Sequence, residues 1–225
     1  MRFVHHFSVV VAFALVVAST CQANDAFKVE RGQLTFDAEG QEGGPYHSRT
    51  PHVPSNSSGL TIGRGYDMKE RSESGIKADL TAAGLAEANV NAYAKAAGLS
   101  GEKAKDFIKA NKDDLVEITA EQQKSLFEIT YKQIEKDVKR ICSKADVVKA
   151  YGATDWAKLD SKIRDVLVDL RFRGDYTPKS RKLIQKPIAG NDLDAFKSAL
   201  TNQANWPSVP EDRFNRRKLF LEKQE

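Results

Sequence analysis

Thr61 and Asp67 lie six residues apart in Ser58-Gly59-Leu60-Thr61-Ile62-Gly63-Arg64-Gly65-Tyr66-Asp67. Glycines at 59, 63 and 65 surround an apolar, β-branched run that favours extended backbone. Glycines so placed mark tight turns or close approach to the chain. The spacing predicts a hairpin strand, a Gly-Arg-Gly turn and a polar return strand or loop, with the Thr61 hydroxyl and the Asp67 carboxylate meeting across the turn. A hydroxyl and a carboxylate held together can grip one water, which is half of a hydrolytic site. The other half is a second acid upstream. Glu39, in Asp37-Ala38-Glu39-Gly40, is the candidate, and Asp37 and Glu42 compete with it by position.

Glu39, then Thr61 22 residues on and Asp67 six beyond that, with the glycine-rich stretch between, resemble the muramidase domain of pesticin and its relatives. Those domains belong to the wider phage-type lysozyme group. The likeness covers residues 34–69 specifically and the rest diffusely. It implies that Glu39, Thr61 and Asp67 are catalytic, and it alone selects Glu39 over Asp37 and Glu42. The implied reaction is hydrolysis of the β-1,4 bond between N-acetylmuramic acid and N-acetylglucosamine in bacterial peptidoglycan, without a cofactor.

Glycoside hydrolysis needs a proton donor on the leaving oxygen and a carboxylate facing the developing positive charge. Glu39 is expected against apolar surface, its pKa raised so that it stays protonated as general acid. Asp67 is expected ionised, with Thr61 orienting the water; a threonine hydroxyl without a base is a poor nucleophile. A water held by Asp67 and Thr61 implies inversion, with the carboxyl groups roughly 6.5–9.5 Å apart rather than roughly 5–5.5 Å.

Candidate substrate contacts surround these three. Tyr46 and His52 border a sugar cleft or anchor their loop. Arg64 meets a wall carboxylate or is simply solvated, and Gly63 and Tyr66 complete the same stretch. Arg171 and Arg173 lie where phage-type lysozymes turn a buried helix toward the cleft, or they form an Arg–Asp network joining two lobes; the network is the preferred reading.

The elements that must position these groups begin after a leader. Arg2, His5 and His6 precede ten apolar residues, Val9 to Ala18, with the small residue Ala23 before Asn24. Ten are too few to span a bilayer, which takes about 20. Residues 1–23 therefore read as a secretory signal peptide, and the protein as secreted and free of the membrane after cleavage. About 200 remaining residues suit one domain with a core of its own. Cys21 leaves with the leader, so Cys142 stays unpaired and is expected as a small core or surface thiol rather than a nucleophile.

Loss of Arg2 takes the basic residues from 35 to 34 against 31 acidic ones. That slight excess suits an anionic wall but equally plain solubility. The charges are interspersed and no nucleic-acid motif occurs, which sets nucleic acid aside. Histidine is scarce and no metal-ligand spacing appears, so no metal is expected. A monomer is expected.

Leu34-Thr35-Phe36 fits a short strand or the last turn of a helix, and Gly32 argues against a long first helix. Residues 40–58 read as a loop carrying a sequon at Asn56. From Arg71 the chain turns helical: 74–85, 86–97, 101–111, 120–141 with a Thr119/Gln122 capping box, a helix capped by Asp160, then 192–200 and 211–221. The resulting expectation is an α+β, predominantly helical, lysozyme-like fold, with a hairpin lobe (24–70) on a helical body (71–225). Two rivals share these features: a non-catalytic glycan-binding protein on a lysozyme scaffold, and a chitin-directed hydrolase with the same acids.

Overall fold

The computed structural model describes residues 26–223, so the signal peptide read in residues 1–23 lies outside the described residues. The element order is α1 (Gln33–Ala38), β1 (Thr61–Ile62), β2 (Tyr66–Asp67), α2 (Glu73–Ala82), α3 (Glu87–Ala94), α4 (Gly101–Ala110), α5 (Ala120–Cys142), α6 (Ala145–Tyr151), α7 (Ser161–Arg173), α8 (Pro178–Ala189), α9 (Leu193–Thr201), a 3-10 turn (Gln203–Asn205) and α10 (Glu211–Glu222). The fold is α+β and predominantly helical, with one small antiparallel sheet among the described residues. No described helix is long and apolar enough to cross a membrane.

The central helix α5 begins where its sequence says it must. Thr119 accepts from the Gln122 backbone N–H while the Gln122 side chain reaches back, a complete capping box. Its apolar stripe enters two separate cores. Leu126 packs with Leu60, Ile62, Tyr66 and Met68 of the hairpin and with Ile76, Leu80, Val90 and Tyr93 of α2 and α3. Val138, Ile141 and Cys142 pack with Ile163, Val166, Leu167 and Leu170 of α7 and with Phe196 and Leu221 further on. The seam between the cores holds Phe36, Phe127, Tyr131 and Val168. The lobe boundary expected at residue 70 therefore falls within α5, because the two-stranded hairpin is too small to bury Leu60 and Ile62 without α2 and α3.

Two helices, α6 and α8, are not evident in the sequence. In α8 the pattern is obscured by Pro178 and Pro187. The first occupies the N-terminal turn, where a missing N–H costs nothing, behind a Thr177/Ser180 capping box; the second sits in the last turn. The ambiguous segment at 34–36 is helical. Gly32 starts α1 at φ 77, and a Cβ there would lie 2.1 Å from the Tyr131 ring, so only glycine lets this helix dock on α5. Helix α1 is short, ends on Glu39, and packs against α7 and α10.

Candidate active site

In the hairpin, Thr61 is registered against Asp67 and Ile62 against Tyr66. Thr61 exchanges both backbone hydrogen bonds with His52 on its other side, at 2.8 and 3.0 Å, while the Met68 N–H donates to the Leu60 carbonyl at 3.0 Å. Thr61 and Asp67 are thus a non-hydrogen-bonded pair, the kind whose Cα atoms approach to about 4.5 Å and whose side chains share one face. His52, bridged to Thr61 in antiparallel register, extends that row. The polar row is His52, Thr61, Asp67. The sequence leaves His52 either bordering a cleft or anchoring its loop; the strand register makes it a neighbour of Thr61.

The Asp67 carboxylate is held by backbone. The Gly59 N–H donates to both oxygens at 3.1 Å, and the Lys69 N–H donates to Oδ1 at 2.8 Å. The buried Thr61 hydroxyl donates to the Gly59 carbonyl at 3.2 Å, which leaves its oxygen as an acceptor. A Cβ on Gly59 would fall 2.5 Å from Asp67 Oδ1 and 2.7 Å from the Lys69 nitrogen. Gly59→Ala should therefore displace this carboxylate. A misplacement of about 1 Å lowers turnover on the order of 10²-fold. The check is kcat on bacterial sacculi, the substrate that the family resemblance implies, with circular dichroism to verify the fold.

Glu39 comes from the other side of the seam. It is the C-cap of α1, and its backbone N–H bonds the Thr35 carbonyl. Its Oε1 accepts from Arg213 Nη2 at 2.7 Å, and its Oε2 lies 3.5 Å from where a Cβ on Gly65 would stand. The carboxyl thus reaches the tip of the hairpin that carries Thr61 and Asp67. Gly65 has φ 83, and a side chain there would also meet the Phe172 ring at 2.5 Å. Burial pushes the Glu39 pKa up, and this outweighs the downward pull of the Arg213 charge and hydrogen bond.

Glu42 behaves oppositely. Its partial burial is overcome by hydrogen bonds from Gln123 and Arg49 and by the charges of Arg49 and Arg64, which hold it below the ordinary range. Asp37 is exposed and accepts from Gln33 Nε2 at 2.8 Å. Of Glu39 and Glu42, the environment biases Glu39 toward the protonated form.

The remaining candidates separate. Tyr46 is 78% exposed on its loop and belongs neither to the two cores nor to the seam between them. Gly63 is backed by Ile118 and Gln123, 3.5 and 3.7 Å from a notional Cβ, so that side of the turn is closed to substrate. Arg64, expected at the exposed turn, is buried. It donates to the Phe36 and Gly40 carbonyls at 2.7 and 3.0 Å and to Glu42 at 3.1 Å, and its guanidinium lies 4.0 Å over the Phe36 ring. It closes the end of α1 onto the hairpin and so fixes Glu39 from behind rather than meeting substrate. Tyr66 is likewise core: its hydroxyl donates to Asp79 at 2.9 Å, and burial raises its pKa. Arg171 pairs with Asp137 of α5 at 2.7 Å, and Arg173 with Asp175 at 2.5 Å; both are ion pairs, but they lie within one core's side of the fold and do not join two lobes.

Arg213 is the site residue that the sequence did not single out. The basic run Arg213, Arg216, Arg217 on α10 was the available signal, but helical spacing does not say which of the three turns inward. Arg213 and Arg217 do, converging on Asp169 of α7. A family model described as a domain of unknown function (DUF8812) matches residues 32–218, and the chain belongs to that family. No curated protein matches it.

Proposed function

We propose that this member of the DUF8812 family is a secreted muramidase that hydrolyses the β-1,4 bond between N-acetylmuramic acid and N-acetylglucosamine. The observation that carries the reading is the Glu39 carboxyl, biased toward its protonated form, lying beside Gly65 at the tip of the hairpin whose strands pair Thr61 with Asp67. Arg213 occupies Oε1 of Glu39, so the proton belongs on Oε2, the oxygen directed at the hairpin.

As the glycosidic bond breaks, Oε2 gives that proton to the leaving oxygen, and positive charge grows on the sugar carbon. Asp67, anchored by two backbone N–H groups, faces that charge. A water donating one hydrogen to the Thr61 oxygen and the other to Asp67 keeps a lone pair for attack on the opposite face. Asp67 accepts the water's proton as the new C–O bond forms. The sugar carbon is inverted. Released muropeptides should therefore carry the α anomer first, read by proton NMR of a fresh digest of bacterial sacculi. β anomer first would refute the inverting course, and no new reducing ends would refute the hydrolase. The last result would favour a glycan-binding protein, while cleavage of chitin in preference to sacculi would move the substrate and keep the acids.

A further inference from the structure

We propose that Lys69 recognises a carboxylate on the muramyl residue and makes the site selective for acidic glycan; this rests on the muramidase reading above. A surface pocket of about 470 Å³, lined by Ser57, Asp67, Lys69, Glu70 and Arg71, opens directly beside the water-holding carboxylate. Two cations line it, and they differ in what already engages them. Arg71 donates to the Asp67 carbonyl at 3.1 Å, to Asp79 at 3.0 Å and to Gln133 at 2.7 Å, with its guanidinium 4.0 Å over the Tyr66 ring. It is built into the wall. Lys69 has Nζ 3.5 Å from Glu70, whose side chain is 85% exposed, a solvent-screened pair that a bound anion can replace.

The backbone fixes where this ammonium emerges. The Lys69 N–H is bonded to Asp67 Oδ1, so its side chain leaves the chain at the site itself. A neutral sugar gains nothing from a cation there. A muramyl residue carries an ether-linked lactyl group, either as a free carboxylate or extended by an acidic stem peptide, and Asp67 would repel either without a neighbouring positive charge. Ser57, whose hydroxyl shares a hydrogen bond with that of the exposed Ser55 at 3.0 Å, adds a neutral hydroxyl to the same wall.

The test measures reducing ends released from native sacculi, from sacculi whose carboxylates are amidated with carbodiimide, and from amidase-stripped strands that keep the lactyl carboxylate alone. Wild type should show a KM about tenfold lower on native than on amidated sacculi, as one charge-assisted contact warrants. Lys69→Met should lose that preference, mainly through KM and with kcat little changed, and Lys69→Arg should keep it. Both keep the backbone N–H that holds Asp67. Stripped strands behaving like native sacculi show that a free lactyl carboxylate serves Lys69 as well as the stem's carboxylates, and stripped strands behaving like amidated sacculi confine recognition to the stem peptide. Equal KM on native and amidated sacculi in wild type, or a preference that survives in Lys69→Met, overturns the inference while leaving the hydrolase intact. No release from any substrate by wild type removes the muramidase reading, and this inference with it.

Discussion

Glu39→Gln should lower kcat on bacterial sacculi on the order of 10³-fold, within the range that one positioned general acid contributes. Glutamine can still accept from Arg213 at the oxygen now bonded at 2.7 Å, so the packing is kept and only the transferable proton is lost. The pH dependence follows from the direction of the shift. In the proposed mechanism protonated Glu39 is the active form, so wild-type kcat should fall as pH rises through the raised value, and Glu39→Gln should lack that limb.

Stability follows the same direction with pH. A carboxyl whose folded pKa lies above its unfolded value contributes most below the unfolded value, and that contribution is lost as pH rises through the folded one. At neutral pH the glutamine variant should therefore melt at the same temperature as wild type or higher. An active enzyme with glutamine at this position would overturn the assignment of the acid. A large loss of Tm would assign Glu39 to structure instead.

Asp169→Asn should cost more stability than any other conservative change here. Asp169 is fully buried, and Arg213 at 5% and Arg217 at 2% exposure are buried with it. Arg213 Nη2 meets its Oδ1 at 2.5 Å, and Arg217 Nε meets its Oδ2 at 2.7 Å. Arg217 continues to Asp175 at 2.8 Å. Two guanidinium groups thus share one carboxylate that is closed off from bulk solvent. Removing the charge from one partner of a buried pair costs about 3–5 kcal/mol, which for a domain of this size lowers Tm on the order of 10 °C.

The activity should fall as well. Asp169 pushes the Glu39 pKa up, whereas Arg213 pulls it down, so neutralising Asp169 favours ionised Glu39. The basic limb of the kcat profile should move to lower pH in Asp169→Asn. A variant that melts early but keeps the wild-type profile would confine Asp169 to holding α10 on α7. Thermal unfolding and a pH–rate series on the same preparation separate the two effects.

The sequence by itself determined the features that are local. The Thr119/Gln122 box and the apolar steps from Phe127 to Ile141 specify α5, because capping and a helical stripe act within a few residues. The three glycines around Thr61 specify a hairpin, and the Thr61–Asp67 register follows from the turn between them. What stayed hidden is the environment of each group. Arg64 occupies a turn position, where arginine is ordinarily solvated, and becomes a buried brace only because the end of α1 arrives beneath it. Glu39 and Arg213 stand 174 positions apart, and no short-range pattern pairs them. Whether a carboxyl holds its proton depends on how much water is excluded and which charges remain nearby. Those quantities arise only when α1, α7, α10 and the hairpin close on one another, so the upward bias of the Glu39 pKa, at a residue the family resemblance had already selected, was decided by the tertiary structure.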